Sequence, residues 1–154
     1  MELFSKKEKI NDKQVKIKLW DTAGQEQFKS LTRNFFHNAD GAIIMYDVTV
    51  KDSYNKVREW IETIKDNATE KVKVCVVGNK IDLESQREVS SEDAKHYTEQ
   101  LNLKFFETSA LQNINLSEVV RYVASQIIET REEAKRNILL TDKKEEEASG
   151  GCRC

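Results

Sequence analysis

Proline is absent from this chain of 154 residues, and glycine occurs only five times, at positions 24, 41, 78, 150 and 151. Those five glycines cannot compose a G-x-x-x-x-G-K-[ST] loop, so the sequence offers no backbone nest of that kind for a chain of phosphates. Neither sign of charge dominates: 25 Lys and Arg against 27 Asp and Glu give a formal net charge of −2. Such a balance lacks the basic face that nucleic-acid binding needs, and no nucleic-acid partner is expected. Long apolar runs are missing as well. GAIIMYDV and VKVCVVG fall far short of the roughly 20 residues that a membrane-spanning helix requires. No charged-then-apolar start resembles a signal peptide, so a reducing cytosolic setting is expected. Of only three cysteines, Cys75 lies within an apolar run and reads as a core residue, while Cys152 and Cys154 stand in the tail.

What is present has the proportions of one globular domain, with 34% charged and 38% hydrophobic residues. Val15, Ile17 and Leu19 alternate with Lys16 and Lys18, the period of a half-buried strand. The preceding Asn11-Asp12-Lys13 is turn chemistry, which predicts a hairpin over residues 3–20. The run 42–48 (AIIMYDV) reads as a strand covered on both faces. Apolar positions Tyr54, Val57, Trp60, Ile61 and Ile64 follow helical spacing after a cap at Asp52 or Ser53. A second buried strand is expected over 72–78, a helix starting at the SSED of 90–93, and a third strand and loop over 103–110. Asn115 reads as the cap of a long helix striped by Leu116, Val119, Val120, Val123 and Ile127. This alternation predicts an α/β fold, a mostly parallel sheet flanked by helices, with right-handed crossovers and ligands at the carboxyl ends of the strands.

The polar groups gather at those ends. In GNKID (78–82), Asp82 can accept two hydrogen bonds from a ring that presents adjacent N–H donors, as guanine does and adenine does not. The Asn79 amide can meet the neighbouring carbonyl and ring nitrogen, and the Lys80 stem can lie on the ring face. Taken alone the segment reads equally well as a turn. In ETSA (107–110) the small Ser109 and Ala110 allow backbone N–H groups to approach a ring carbonyl. In DTAGQE, Asp21 could hold a metal ion through water, the Gly24 N–H could reach a terminal phosphate, and Gln25 could orient an attacking water; a plain polar loop is the alternative.

Together, in order and each at a strand end, these segments resemble the small guanine-nucleotide-binding proteins of the Ras superfamily, over nearly all of the chain. KIKLWDTAGQE, IMYDVT and the closing CRC are most similar to the Rab branch. The resemblance implies a Ras-like P-loop NTPase fold, GTP and GDP as ligands with Mg2+, slow GTP hydrolysis, and a role in vesicle traffic through effectors and regulators. By position it assigns Asp21, Thr22, Ala23 and Gly24 to the phosphate side, with Asp21 also at the metal, and Gln25 to catalysis. Asn79, Lys80, Asp82, Ser109, Ala110 and Leu111 fall on the base side, Leu111 where relatives often carry a basic residue. Trp20, Phe28, Phe35 and Phe36 offer an aromatic effector surface or ordinary packing.

The resemblance begins at the family's second strand. Counterparts of the first strand, the phosphate loop, the first helix and the first switch segment are missing, which implies an N-terminally truncated Ras-like domain over 1–128. Charge-assisted bonds contribute about 1.5–3 kcal/mol each, so losing several predicts weak nucleotide binding and inefficient hydrolysis. The strands at 14–20 and 42–48 are then expected to face a gap. Residues 129–154 read as a charged, flexible tail ending in a Cys-x-Cys that resembles the Rab prenylation site. That implies prenylation machinery as a partner, lipid anchors on Cys152 and Cys154, and residence on the cytoplasmic face of intracellular membranes with a cytosolic pool. The alternative function is a non-catalytic, prenylated pseudo-GTPase that serves as a binding module.

Overall fold

In the computed structural model, backbone is described for residues 2–21 and 36–149, and side chains for 3–21 and 36–137. The chain opens with two strands, β1 (Glu2–Ile10) and β2 (Lys13–Asp21). They pair antiparallel from Glu2↔Asp21 to Ile10↔Lys13 as a two-stranded sheet. The turn between them places both Asn11 (φ 48) and Asp12 (φ 61) in the left-handed region. Residues with short polar side chains tolerate that conformation, and the turn's twist matches the twist of the strands.

The second sheet is parallel, in the order β3 (Gly41–Asp47), β4 (Lys73–Asn79), β5 (Lys104–Thr108). Helix α1 (Lys51–Asn55) passes almost directly into α2 (Val57–Asn67) between β3 and β4. A short 3-10 segment (Ile81–Gln86) and α3 (Ser91–Gln100) join β4 to β5. The last helix, α4, runs from Leu116 to Ser149. The mixed α/β content and the helix-flanked parallel sheet are those of a Ras-like fold.

Two cores lie on either side of the parallel sheet. Ile44, Tyr46, Val48 and Val76 pack with Val57, Ile61 and Ile64 of α1–α2, and with Val89 and Ala94 near α3. Cys75, Val77 and Phe106 pack against Val119 and Val123 of α4. Burial in apolar surroundings pushes the Cys75 thiol up to about 12, the behaviour of an inert core cysteine. Gly41 is required by close approach: a Cβ there would lie 2.5 Å from Val123 Cγ1.

Several expectations change on contact with the structure. Met45 is 54% exposed, so β3 is not covered on both faces; helix α4 reaches Ile43 but leaves Met45 open. Leu19 is 41% exposed, because α4 meets the hairpin at its turn end, through Arg121 and Glu8 (2.7 Å) and through the ion pair of Lys13 with Glu132. Strands β2 and β3 stay in separate sheets. Neither Asp52 nor Ser53 caps α1. Val50 is its N-cap, and the Ser53 hydroxyl donates instead to Val50 O (2.7 Å) and Asp47 O (3.1 Å). Ser90 does cap α3, accepting from the Asp93 N–H at 3.1 Å. Asn115 stands immediately before α4 in a left-handed conformation (φ 58), its carbonyl accepting from the Val119 N–H (3.1 Å) and its amide donating to Glu107 O at 2.8 Å. Helix α4 runs past residue 128 to Ser149. That stretch is rich in Glu, Lys, Arg and Ala, all good helix formers, and carries no proline to stop it.

Candidate functional site

The parallel register aligns Asp47, Asn79 and Thr108 in one row across the carboxyl ends of β3, β4 and β5. Each strand brings one polar side chain to the same edge because the apolar run ends at the same level in all three. Beyond the row, the loops after β4 and β5 are fastened together by side chains. Asn79 Oδ1 accepts from Thr108 Oγ1 (3.1 Å) and from the Ala110 backbone N–H (3.2 Å). Asp82 Oδ1 accepts a short hydrogen bond from the hydroxyl of Ser109. That hydroxyl also accepts from the Gln112 N–H (3.0 Å), and Thr108 and Ser109 are fully buried. Paired backbone bonds between Ser109 and Ile114 close the loop after β5 (2.9 and 3.3 Å).

Lys80 links the first strand of the row to the same loop. Its backbone takes a left-handed conformation (φ 70, ψ 36), which costs a residue with a Cβ about 1–2 kcal/mol. The conformation places the ammonium 2.6 Å from Asp47 Oδ2. Asp47 Oδ1 also accepts from the Thr49 N–H (2.9 Å) and hydroxyl (2.7 Å). Partial burial pushes the Asp47 carboxyl up, but the bonds from Lys80 and Thr49 outweigh it and hold the carboxyl below its usual range. The hydrogen bond to Asp47 raises Lys80 in turn. A second strut lies just outside the row. Arg87 donates to Glu107 Oε1 (2.7 Å), Glu84 Oε2 (2.8 Å) and Val89 O (3.2 Å), pinning the 3-10 segment to β5.

The structure thus brings together Asn79, Lys80, Asp82, Ser109 and Ala110. Leu111, which follows Ala110, is 83% exposed. Asp21 is the exposed last residue of β2, in the other sheet. Thr22, Ala23, Gly24 and Gln25, the aromatic Phe28 and Phe35, and the tail cysteines Cys152 and Cys154 lie outside the described residues. Asp47 and Arg87 are structural partners of the site that sequence reasoning misses. The signal for Asp47 was available, since it ends an apolar strand as Asn79 does.

The donor set fits a nucleobase edge. With Asn79 Oδ1 and Asp82 Oδ1 engaged by the β5 loop, Asn79 Nδ2 and Asp82 Oδ2 have no hydrogen-bond partner among the described residues. One is a donor and the other an acceptor, the pair that a ring with a carbonyl and adjacent N–H groups requires. Among the described residues no group of three or more His, Cys, Asp or Glu is suited to hold a metal.

The family model described as Ras family matches residues 1–129. Ras-related protein Rab-21 of Mus musculus is 36% identical over 164 residues, covering 97% of this chain and 74% of that protein. The Rattus norvegicus Rab-21 is 39% identical, covering 86% of this chain and 60% of its own length. Ras-related protein Rab-2B of Dictyostelium discoideum is 40% identical, covering 86% and 65%. The chain therefore spans about three-fifths to three-quarters of these relatives. With the parallel sheet, the polar row at its carboxyl edge and these matches in agreement, the chain belongs to the Ras family, among its Rab-type members.

Proposed function

We propose that this chain recognises the guanine base of GTP and GDP as part of a Rab-type molecular switch in intracellular vesicle traffic. Asp82 accepts from the two adjacent N–H groups of the base, the Asn79 amide meets its other edge, the Lys80 stem covers one face, and the Ser109–Ala110 backbone approaches the ring carbonyl. A single observation carries the reading: Asn79, at the end of β4, and Asp82, in the segment that follows, are each tied through one oxygen to the end of β5 and its loop, which leaves one complementary donor and one acceptor for a ligand. A pocket built on such paired polar contacts discriminates strongly, because the wrong base leaves buried groups unpaired.

Asp21, Thr22, Ala23 and Gly24 are assigned to the phosphate side; Asp21 would hold a magnesium ion and Gln25 would orient the attacking water. When bound, magnesium would neutralise phosphate charge. These 154 residues contain no G-x-x-x-x-G-K-[ST] loop, so their affinity for the triphosphate is weak and hydrolysis is inefficient. A second reading is a binding module that engages effectors and regulators without turning over nucleotide. In either case the tail cysteines Cys152 and Cys154 receive lipid through the prenylation machinery and hold the protein on the cytoplasmic face of intracellular membranes.

Titration followed by amide NMR tests the base reading. Guanosine and GDP are expected to shift the Asn79, Ser109 and Ala110 resonances, and adenosine to leave them in place. Asp82→Asn converts an acceptor into a donor, so this variant is expected to lose guanosine and gain xanthosine, whose ring carries a carbonyl where guanine carries an amino group. Equal response to guanosine and adenosine overturns the reading.

A further inference from the structure

The two faces of the β1–β2 hairpin differ sharply in charge. Side chains alternate along a strand and directly paired residues share a face, so the register sorts the hairpin without ambiguity. One face carries Glu8 and the buried Ile10 and meets α4 through Arg121. The other face carries Leu3 with Trp20, Ser5 with Lys18, Lys7 with Lys16, and Lys9 with Gln14. Four of its eight side chains are lysines and none is acidic, in a chain whose net charge is −2. All eight are exposed. Lys9 reaches Asp12 of the turn at 2.9 Å, and Lys7 and Lys16 stand directly opposite each other. Like charges in that position destabilise a hairpin, and an anionic surface laid against them would relieve the repulsion.

We infer that this lysine face docks on an anionic lipid bilayer. The lysines recur at alternate positions of both strands, and Trp20 and Leu3 continue that face at the end away from the turn, 49% and 48% exposed. Tryptophan beside lysine suits the headgroup level of a membrane, where an amphipathic ring and a cation on a long stem both find partners. A protein partner fits less well, since lysine is depleted in protein interfaces and arginine enriched, and the face holds no arginine. Lysine acts as a point charge and needs no bidentate acceptor, which matches a diffuse layer of phosphate and carboxylate groups. The docking requires neither nucleotide nor lipidation, so it stands or falls apart from the guanine reading.

The test uses the full, unlipidated chain and vesicles of phosphatidylcholine with or without phosphatidylserine. Co-flotation is expected with the phosphatidylserine vesicles only, fading as salt is raised. The Lys7→Gln, Lys9→Gln, Lys16→Gln and Lys18→Gln changes are expected to weaken partition about fivefold per lysine. The four corresponding Arg substitutions keep it, and so does a matched set at Lys65, Lys71, Lys95 and Lys135, away from the face. In a Trp60→Phe background, the Trp20 emission is expected to shift to the blue on the anionic vesicles. No preference for phosphatidylserine by the unaltered chain overturns the proposal and leaves an acidic protein surface as the occupant. Equal loss from both glutamine sets overturns it too, as an effect of net charge alone.

Discussion

Strands β1 and β2 have nine residues each, whereas β3 and β4 have seven and β5 five, yet the shorter strands make the core. Among the described hairpin residues only Ile10 is buried, while β3, β4 and β5 bury Ile44, Tyr46, Cys75, Val76, Val77 and Phe106. The difference lies in what covers each sheet. Helices α1, α2 and α3 close one face of the parallel sheet and α4 closes much of the other. The hairpin meets α4 mainly near its turn, so Phe4 and Leu19 remain about half exposed. Strand pairing alone therefore does not make a core; a second layer does, and it also fixes the loops that recognise a ligand.

The contrast breaks most directly at Tyr46. Its ring is 2% exposed and packs edge-on against Tyr54 at 5.1 Å. Tyr46→Ala is expected to cost about 3–5 kcal/mol in urea unfolding, the range for deleting a buried ring. Its hydroxyl is buried without a partner among the described residues, and burial, with Glu107 nearby, pushes its ionisation well above the usual tyrosine range. Tyr46→Phe is therefore expected to be neutral or slightly stabilising, because it removes an unpaired polar atom. A large loss in the phenylalanine variant would mean that the hydroxyl is paired after all.

Gly78 sharpens the same point at smaller amplitude. A Cβ there would meet Tyr46 Oη at 2.8 Å and Cζ at 3.0 Å, with Val48 Cγ1 at 3.1 Å. Gly78→Ala is expected to cost about 1–3 kcal/mol as overpacking. In the Tyr46→Phe background the cost should fall, since the nearest clash is with the hydroxyl, and the double-mutant cycle reads that coupling.

How much of this is legible in the sequence follows the same division. The three parallel strands announce themselves because residues buried on a covered face must be apolar, and AIIMYDV and VKVCVVG leave no other assignment. The base-side cluster is legible for a related reason: Asn79, Asp82 and Ser109 are polar groups placed where an apolar run stops. Their partners Asp47 and Thr108 are harder to read, because one polar residue at a strand end looks the same whether it binds a ligand or supports a residue that does. The exposure of Met45 and Leu19 is not legible at all. Their types fit a covered strand, and only the position of α4 decides whether anything covers them. The helical stretch beyond residue 128 has intrinsic propensity as its signal, whereas the apolar stripe ends near Ile127.

Titration probes the edge that joins core to site. Asp47 is held below its ordinary range by Lys80 and Thr49 against the push of burial. Its contribution to stability is therefore fully present above the ordinary aspartate range and is lost as pH falls through the lower, folded value. Lys80 is raised by the same pair, so its share is present below the ordinary lysine range and lost as pH rises through the folded value. Asp47→Asn is expected to lower the urea midpoint at neutral pH by less than Gly78→Ala does, because half of the Lys80 side chain is in water. The difference from the unaltered chain should close at strongly acidic pH. A gap that persists there would assign the loss to the Thr49 bonds instead of the ion pair.

The smallest effect is expected where the hairpin is least covered. Phe4 is 55% exposed and pairs with Leu19, itself 41% exposed, on the face that α4 reaches only near the turn. Phe4→Ala should change the urea midpoint by no more than about 0.5 kcal/mol equivalent, as for a surface position. Amide exchange of β1 and β2 is expected to proceed by local opening at lower free energy than that of β4, because few apolar contacts hold the hairpin to the rest. A phenylalanine deletion costing as much as Gly78→Ala, together with β1 protection equal to that of β4, would mean that the outer hairpin is covered in solution by another surface. The difference between the two sheets would then be a property of the isolated chain and not of its strands.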